Sequence, residues 1–303
     1  MRKKNKKKYN MIKLLPIKEN CISYKKKFIE VYKIQLNDID KIVKSINTGY
    51  YKFLLNFNKN LCYFFKYADD LEIDFGELLN KEEIIRLYKS FFTDEKLNIE
   101  GELKKVKHKV IRKEIAPYEF EVNTNNIKID KGYYKLNVVE RIEYDCNYKM
   151  NEILKNEDAW VSIEFRKMDQ DFLLNTIVEM QQDGYIDKNI RNGFIKRNIE
   201  KLKTQLKEKK IVQCEFKILL SNKRIEDLEA INNKILIKLK NRGIHIFKIQ
   251  EKLNVITAFN STIYPYEADR MGIIQSLEEE TFIQLLTYNN EGSEINENCR
   301  ATC

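Results

Sequence analysis

Apolar and polar residues alternate through CISYKKKFIEVYKIQL (21–36), the period of a half-buried strand. DIDKIVKSI (38–46) changes to helical spacing, with Asp38 or Asp40 placed to cap it. YYKFLLNF (50–57) and LCYFFKY (61–67) are strand-like runs on either side of Asn58-Lys59-Asn60, which reads as a hairpin turn. NKEEIIRLYKSFF (80–92) starts with Asn80 as a cap, has two acids in its first turn and repeats its apolar residues at helical spacing. Residues 93–115 are dense in charge and read as a connector, after which Pro117 opens a new unit.

From there the pattern is more regular. NIKID (126–130) and YYKLNVVERIEY (133–144) are strands joined at Lys131-Gly132, and CNYKMNEILKNE (146–157) is an amphipathic helix. AWVSIEFRK (159–167) is a strand in which Trp160, Ser162, Glu164 and Arg166 share one face. Val161, Ile163 and Phe165 share the other, which this pattern makes the buried side. Beyond Met168 the period becomes helical. Leu173, Ile177 and Met180 form one narrow stripe, and Ile195, Ile199, Leu202 and Leu206 form a second beyond Asp183-Gly184. The two stripes predict a helical hairpin over 169–209, with one continuous helix as the alternative.

The chain returns as the strand IVQCEFKILLS (211–221), then the helix IEDLEAINNKILIKLKNRG (225–243) with Gly243 as its stop. IHIFKIQ (244–250) is a further strand, and VITAF (255–259) extends the set. The sum is an α+β chain: a mainly antiparallel, ferredoxin-like sheet with a long inserted helical hairpin, preceded by a smaller α+β unit. By segment, 1–10 is a basic disordered tail, 11–115 the small α+β unit with its charged connector, 116–265 the ferredoxin-like domain, and 266–303 a C-terminal helix and polar tail.

Composition narrows this picture. With 43% hydrophobic and 11% aromatic residues the chain can bury a core, and three prolines with nine glycines leave little length for loops. No run approaches the roughly 18 apolar residues of a membrane span, and the basic start is followed by no apolar signal-peptide region. A cytoplasmic protein is expected. The net charge of +9 is local: residues 1–27 carry eleven Lys and Arg against one acid, so the remainder sums to −1. Lys3, Lys4, Lys6, Lys7 and Lys8 in that entry segment are candidate contacts to an anionic surface, as are Lys196, Arg197 and Lys201 on the expected hairpin.

Candidate chemistry is sparse. Asp169 and Asp171 stand where a strand gives way to a helix, the place for caps, and no further acid or metal ligand is spaced to join them. Asp69 and Asp70 follow a strand and read as a turn. His108 lies in a charged segment; His245, at a strand start, reads as a half-buried strand residue. Six cysteines include no CxxC pair and no neighbouring histidine at metal spacing; Cys62, Cys146 and Cys214 read as reduced core residues. No glycine is followed by lysine, so this polypeptide has no GxxxxGK[ST] phosphate loop. The reading is no catalytic residue, no cofactor and no metal. The aromatics Tyr50, Tyr51, Phe53, Phe57, Tyr63, Phe64, Phe65 and Tyr67 could stack bases, but few basic residues interleave them, and core packing is the simpler account.

From Ala116 onward the sequence resembles the N-terminal region of conjugative-transfer (type IV secretion) ATPases, the TraC/TraE-like group. The residues that carry the resemblance are APYEFEVNTNNIKIDKGYYKLNVVERIEY (116–144), WVSIEFRKMD (160–169), the stretch 169–209 and CEFKILLSNKRIEDLEAINNKILIKLKNRGIHIFKI (214–249), with a short match at LLPIK (14–18). That family places an aromatic-Pro turn after its second strand where this chain has RIEYDCNY, and its ATPase half has no counterpart here. What the resemblance implies is a non-catalytic docking or scaffold domain of a DNA-transfer machine carried by a mobile genetic element. Its expected partners are inner-membrane channel components and a separate ATPase subunit, which would hold it at the inner face of the membrane. The alternative reading is a nucleic-acid-binding protein that uses the basic entry segment and the aromatic strands.

Overall fold

Asn80 shows how closely local sequence sets local structure in this chain. Its side chain accepts hydrogen bonds from the backbone N–H of Glu82 and Glu83, while the Glu83 carboxylate takes the N–H of Asn80 over 2.8 Å. This capping box opens a helix over Lys81–Ser90, as the sequence predicts. The computed structural model describes residues 15–24, 27–46, 49–67, 74–92, 107–130, 132–143, 149–167, 169, 210–247, 249, 252–265 and 273–287. The hairpin expected over 169–209 falls outside these residues except for Asp169.

The described strands are β1 (Cys21–Tyr24), β2 (Lys27–Ile34), β3 (Gly49–Asn56), β4 (Leu61–Lys66), β5 (Glu77–Leu78), β6 (Phe120–Val122), β7 (Ile127–Ile129), β8 (Gly132–Ile142), β9 (Ala159–Lys167), β10 (Ile211–Asn222), β11 (Ile244–Phe247) and β12 (Gln275–Glu278). The helices are α1 (Ile39–Ser45), α2 (Lys81–Ser90), α3 (His108–Ile115), α4 (Met150–Leu154), α5 (Ile225–Lys240), α6 (Lys252–Ile263) and α7 (Glu279–Leu286). All strands belong to one sheet, ordered β1-β2-β4-β3-β9-β10-β8-β7-β6, with β11 on β8, β12 on β10 and β5 on β2. Every pairing is antiparallel. The α+β class with a mainly antiparallel sheet is therefore as the sequence implies. Strands from before and after residue 116 meet where β3 pairs with β9, from Gly49↔Lys167 to Leu55↔Val161.

The sheet is covered on both faces. Tyr51, Phe53 and Leu55 of β3, Val161, Ile163 and Phe165 of β9, and Cys214, Phe216 and Ile218 of β10 join α1, α4, α5 and α7 in one core. Leu54, Phe65, Trp160 and Leu219 point the other way, into a core shared with α2, α3 and α6. Phe53 stacks on Phe165 at 4.9 Å between ring centroids, and Tyr51 on Phe64 at 5.7 Å. Tyr51, Phe53, Phe57, Phe64 and Phe65 are buried, so these rings pack the interior; Tyr50, Tyr63 and Tyr67 are half-buried. Each such ring stabilises the fold by about 1.5–3 kcal/mol through burial.

Five expectations are corrected. The Ser162–Glu164 face of β9 is buried just as the Val161–Phe165 face is, because α6 lies over it; an alternating strand can hide both faces if its polar residues find partners. VITAF is not a strand: Val255, Ala258, Phe259 and Ile263 repeat at helical spacing and seat α6 on the sheet. The connector contains a helix, α3, anchored by buried Ile111 and Ile115. The helix expected over 146–157 is shorter, α4 spanning Met150–Leu154. Asp38 and Asp40 make no side-chain cap; each carboxylate pairs instead with a lysine one turn on, Asp38 with Lys41 and Asp40 with Lys44. Three readings match: β9 spans 159–167, the turn between β3 and β4 holds Asn60 at φ 51°, and Gly243 (φ +71°) follows α5 in the left-handed region.

Candidate functional site

Three neighbouring strands place polar residues in register on the same face. Tyr50, Arg166 and Gln213 form one row across β3, β9 and β10; Lys52, Glu164 and Glu215 form the next; Leu54, Ser162 and Lys217 the third. The period-2 alternation of each strand produces this grid, since the intervening residues are the apolar ones of the opposite core. Lys52 and Lys217 are 0% and 1% exposed, Glu215 3% and Glu164 8%, so four ionisable side chains lie inside the protein.

Each charge has a partner. Lys52 Nζ donates to the carbonyl oxygens of Ser261 (2.7 Å) and Tyr264 (3.0 Å) at the end of α6, where the helix dipole is negative. It also lies 3.7 Å from Glu164 Oε1, which in turn is 3.9 Å from Lys217 Nζ. Lys217 donates to Glu215 Oε2 over 3.3 Å. Burial pulls the Lys52 ammonium down to about 7, against the opposing pull of Glu164. At the rim, Arg166 donates to Gln213 Oε1 (2.8 and 2.6 Å) and to the Tyr50 hydroxyl (2.9 Å). A cavity of about 20 Å³ sits against Tyr50, Arg166 and Gln213, enough for one water.

Ser162 stands directly opposite Lys217, a juxtaposition in which a hydroxyl and an amine could form a nucleophile–base pair. Ser162 Oγ has no hydrogen-bond partner among the described residues and is 1% exposed, and Lys217 is turned to Glu215. The grid thus joins α6 to the central strands through balanced charges, and its chemistry is that of a buried ion network.

The other candidates are placed as follows. Lys3, Lys4, Lys6, Lys7, Lys8, Lys196, Arg197 and Lys201, with Asp69, Asp70, Asp171 and Cys146, lie outside the described residues; Asp169 is an exposed position just beyond β9. His245 is half-buried, its Nε2 2.8 Å from Glu143 Oε1 and 3.2 Å from Arg141 Nη2; the histidine hydrogen bond holds the Glu143 carboxyl below its ordinary range. His108 opens α3, and burial followed by the Arg112 and Lys81 charges lowers its pKa. Cys21, Cys62 and Cys214 are free and buried, and burial pushes the thiols of Cys62 and Cys214 well up. Among the described residues no three acids, histidines or cysteines are grouped to hold a metal, and no helix is long and apolar enough to cross a membrane.

Lys52, Glu215 and Lys217 escape sequence reasoning. The signal is a charge inside each apolar run, YYKFLL and CEFKILL, at the position that alternation assigns to a solvent face. Only the pairing of β3 with β9 and β10 shows that the three faces coincide. No family model matches the chain, and no curated protein matches it.

Proposed function

We propose that the chain is a non-catalytic docking domain of a conjugative DNA-transfer apparatus, corresponding to the N-terminal part of a type IV secretion ATPase. The observation that carries this reading is the pairing of Lys167 with Val212. The segment between β9 and β10 leaves and re-enters the sheet at one point, as an insertion between two central neighbours. That is where the resembling family carries its long helical pair.

The strand order supports the same reading. β8, α4, β9, β10, α5 and β11 follow one another in sequence, and their strands lie in the order β11-β8-β10-β9. Helices α4 and α5 contribute to one core. A β-α-β-β-α-β unit of this order is ferredoxin-like, and 169–209 is its inserted helical hairpin. The insertion, with Lys196, Arg197 and Lys201, meets inner-membrane channel components, while Lys3 to Lys8 touch an anionic surface. The domain sits at the inner face of the membrane through these partners, next to a separate ATPase subunit.

Replacing residues 169–209 by a short turn tests this reading. The register at Lys167 and Val212 needs no other change. The expected outcome is a folded sheet, seen by circular dichroism and cooperative unfolding, that no longer copurifies with channel components. Copurification undiminished by the replacement overturns the assignment.

A further inference from the structure

A cleft of about 720 Å³ opens at the far end of the same sheet face, where α2 ends and the β3–β4 turn, the start of β9 and the end of β10 converge. Its size falls within the roughly 300–1,000 Å³ of small-ligand sites. One wall is aromatic: Phe91 packs at 4.9 Å between centroids on Trp160, giving a rigid pair. Tyr118 stands at the mouth with 78% of its surface exposed, more than any other large apolar side chain among the described residues. Gly132 is part of the lining, and a Cβ added there would be in ordinary van der Waals contact with the Tyr134 ring at 3.5 Å.

The lining also holds polar residues, and its acids are already engaged. Asp158 receives Lys59 Nζ at 2.9 Å and the Ser221 hydroxyl at 2.8 Å. Asp130 accepts the backbone N–H of Glu119, and the Glu119 carboxylate lies 3.7 Å from Lys128. Lys223 lines the cleft too, exposed and with no carboxylate partner among the described residues. An exposed ring and an uncommitted ammonium on the lining of one cleft suit a planar aromatic group that carries an anion.

We propose that this cleft binds a nucleobase with its phosphate, the base on Tyr118 beside the Phe91–Trp160 wall and the phosphate on Lys223. An aromatic acid of benzoate size would leave most of the volume empty, whereas a base with its sugar and phosphate fills more of it. Ser221 and Asn222 also line the cleft; the Ser221 oxygen can accept and the Asn222 amide N–H can donate a hydrogen bond to a base edge or a sugar. The unit could arrive as a free mononucleotide or as part of a single strand. This proposal stands apart from the docking role, which uses other surfaces.

Trp160 is the only tryptophan in the chain, so its fluorescence reports on the cleft directly. The full-length protein is titrated with deoxyadenosine monophosphate, with a 15-nucleotide oligothymidylate and with inorganic phosphate. Tyr118→Ala and Lys223→Glu, both exposed positions, are titrated beside it after circular dichroism shows that they fold. The expected result is a saturable change in Trp160 emission with a nucleotide probe, weakened at least about tenfold by either substitution. Response to the mononucleotide assigns a free ligand; response to the oligonucleotide alone assigns a strand. No response to either nucleotide probe overturns the proposal. So does a response that inorganic phosphate reproduces, or one that both variants retain, the latter placing binding elsewhere, for example on residues 1–27.

Discussion

Lys52 on β3 reaches across the sheet face to the carbonyl of Ser261 in α6, 2.7 Å away, and neither group is open to solvent. This contact fastens a helix from the end of the described chain to a strand near its beginning. It also puts a titratable group where its charge is costly.

The pH dependence of stability follows from that burial. The folded-state pKa of Lys52 is about 7, below its unfolded value near 10.4, so the unfolded chain binds more protons between those limits. Stability contributed by this group therefore rises with pH from about 7 to about 10, with a limiting slope of about 1.4 kcal/mol per pH unit. Below pH 7 both states hold the proton and the slope vanishes. Urea unfolding at a series of pH values should show this rise in the wild type and its loss in Lys52→Met. Equal slopes in the two proteins would remove Lys52 as the source.

Glu164 lies between two buried ammonium groups, 3.7 Å from Lys52 and 3.9 Å from Lys217. Glu164→Ala leaves both without their shared countercharge and should cost about 3–5 kcal/mol. By contrast, Lys59→Ala breaks a pair whose side chains are 51% and 44% exposed and should cost less than about 1 kcal/mol. Denaturant midpoints of the two variants decide the matter; a Glu164→Ala loss as small as that of Lys59→Ala contradicts the ion-network account.

The Asn80 capping box satisfies N–H groups that α2 cannot satisfy internally. Asn80→Ala should destabilise the protein by about 1 kcal/mol, and Asn80→Ser should recover most of that, read from the same unfolding curves. No difference between the two substitutions would mean that the cap does not limit stability.

These elements also show which parts of the fold could be read in the sequence. β9, the β3–β4 turn and the start of α2 were legible because each is specified within a dozen residues, by alternation, turn chemistry or a cap. α6 was not, because β-branched Val255 and Ile256 beside Phe259 suit a strand locally, and packing against β8, β9 and β10 decides for the helix. The polar grid was least legible of all. Lys52, Glu164 and Lys217 belong to three strands widely separated in sequence, and each by itself has the pattern of a solvent-facing residue. Burial of that face depends on α6, the very element whose pattern misleads.

The docking role is tested most directly by sedimenting the purified full-length protein with membranes from cells that carry a conjugative transfer channel and from otherwise identical cells that lack it. The account predicts sedimentation with the first membranes and not the second, sustained at a salt concentration that removes simple attraction of the lysine-rich entry segment to lipid. Equal sedimentation with both membranes, or with neither, would contradict it.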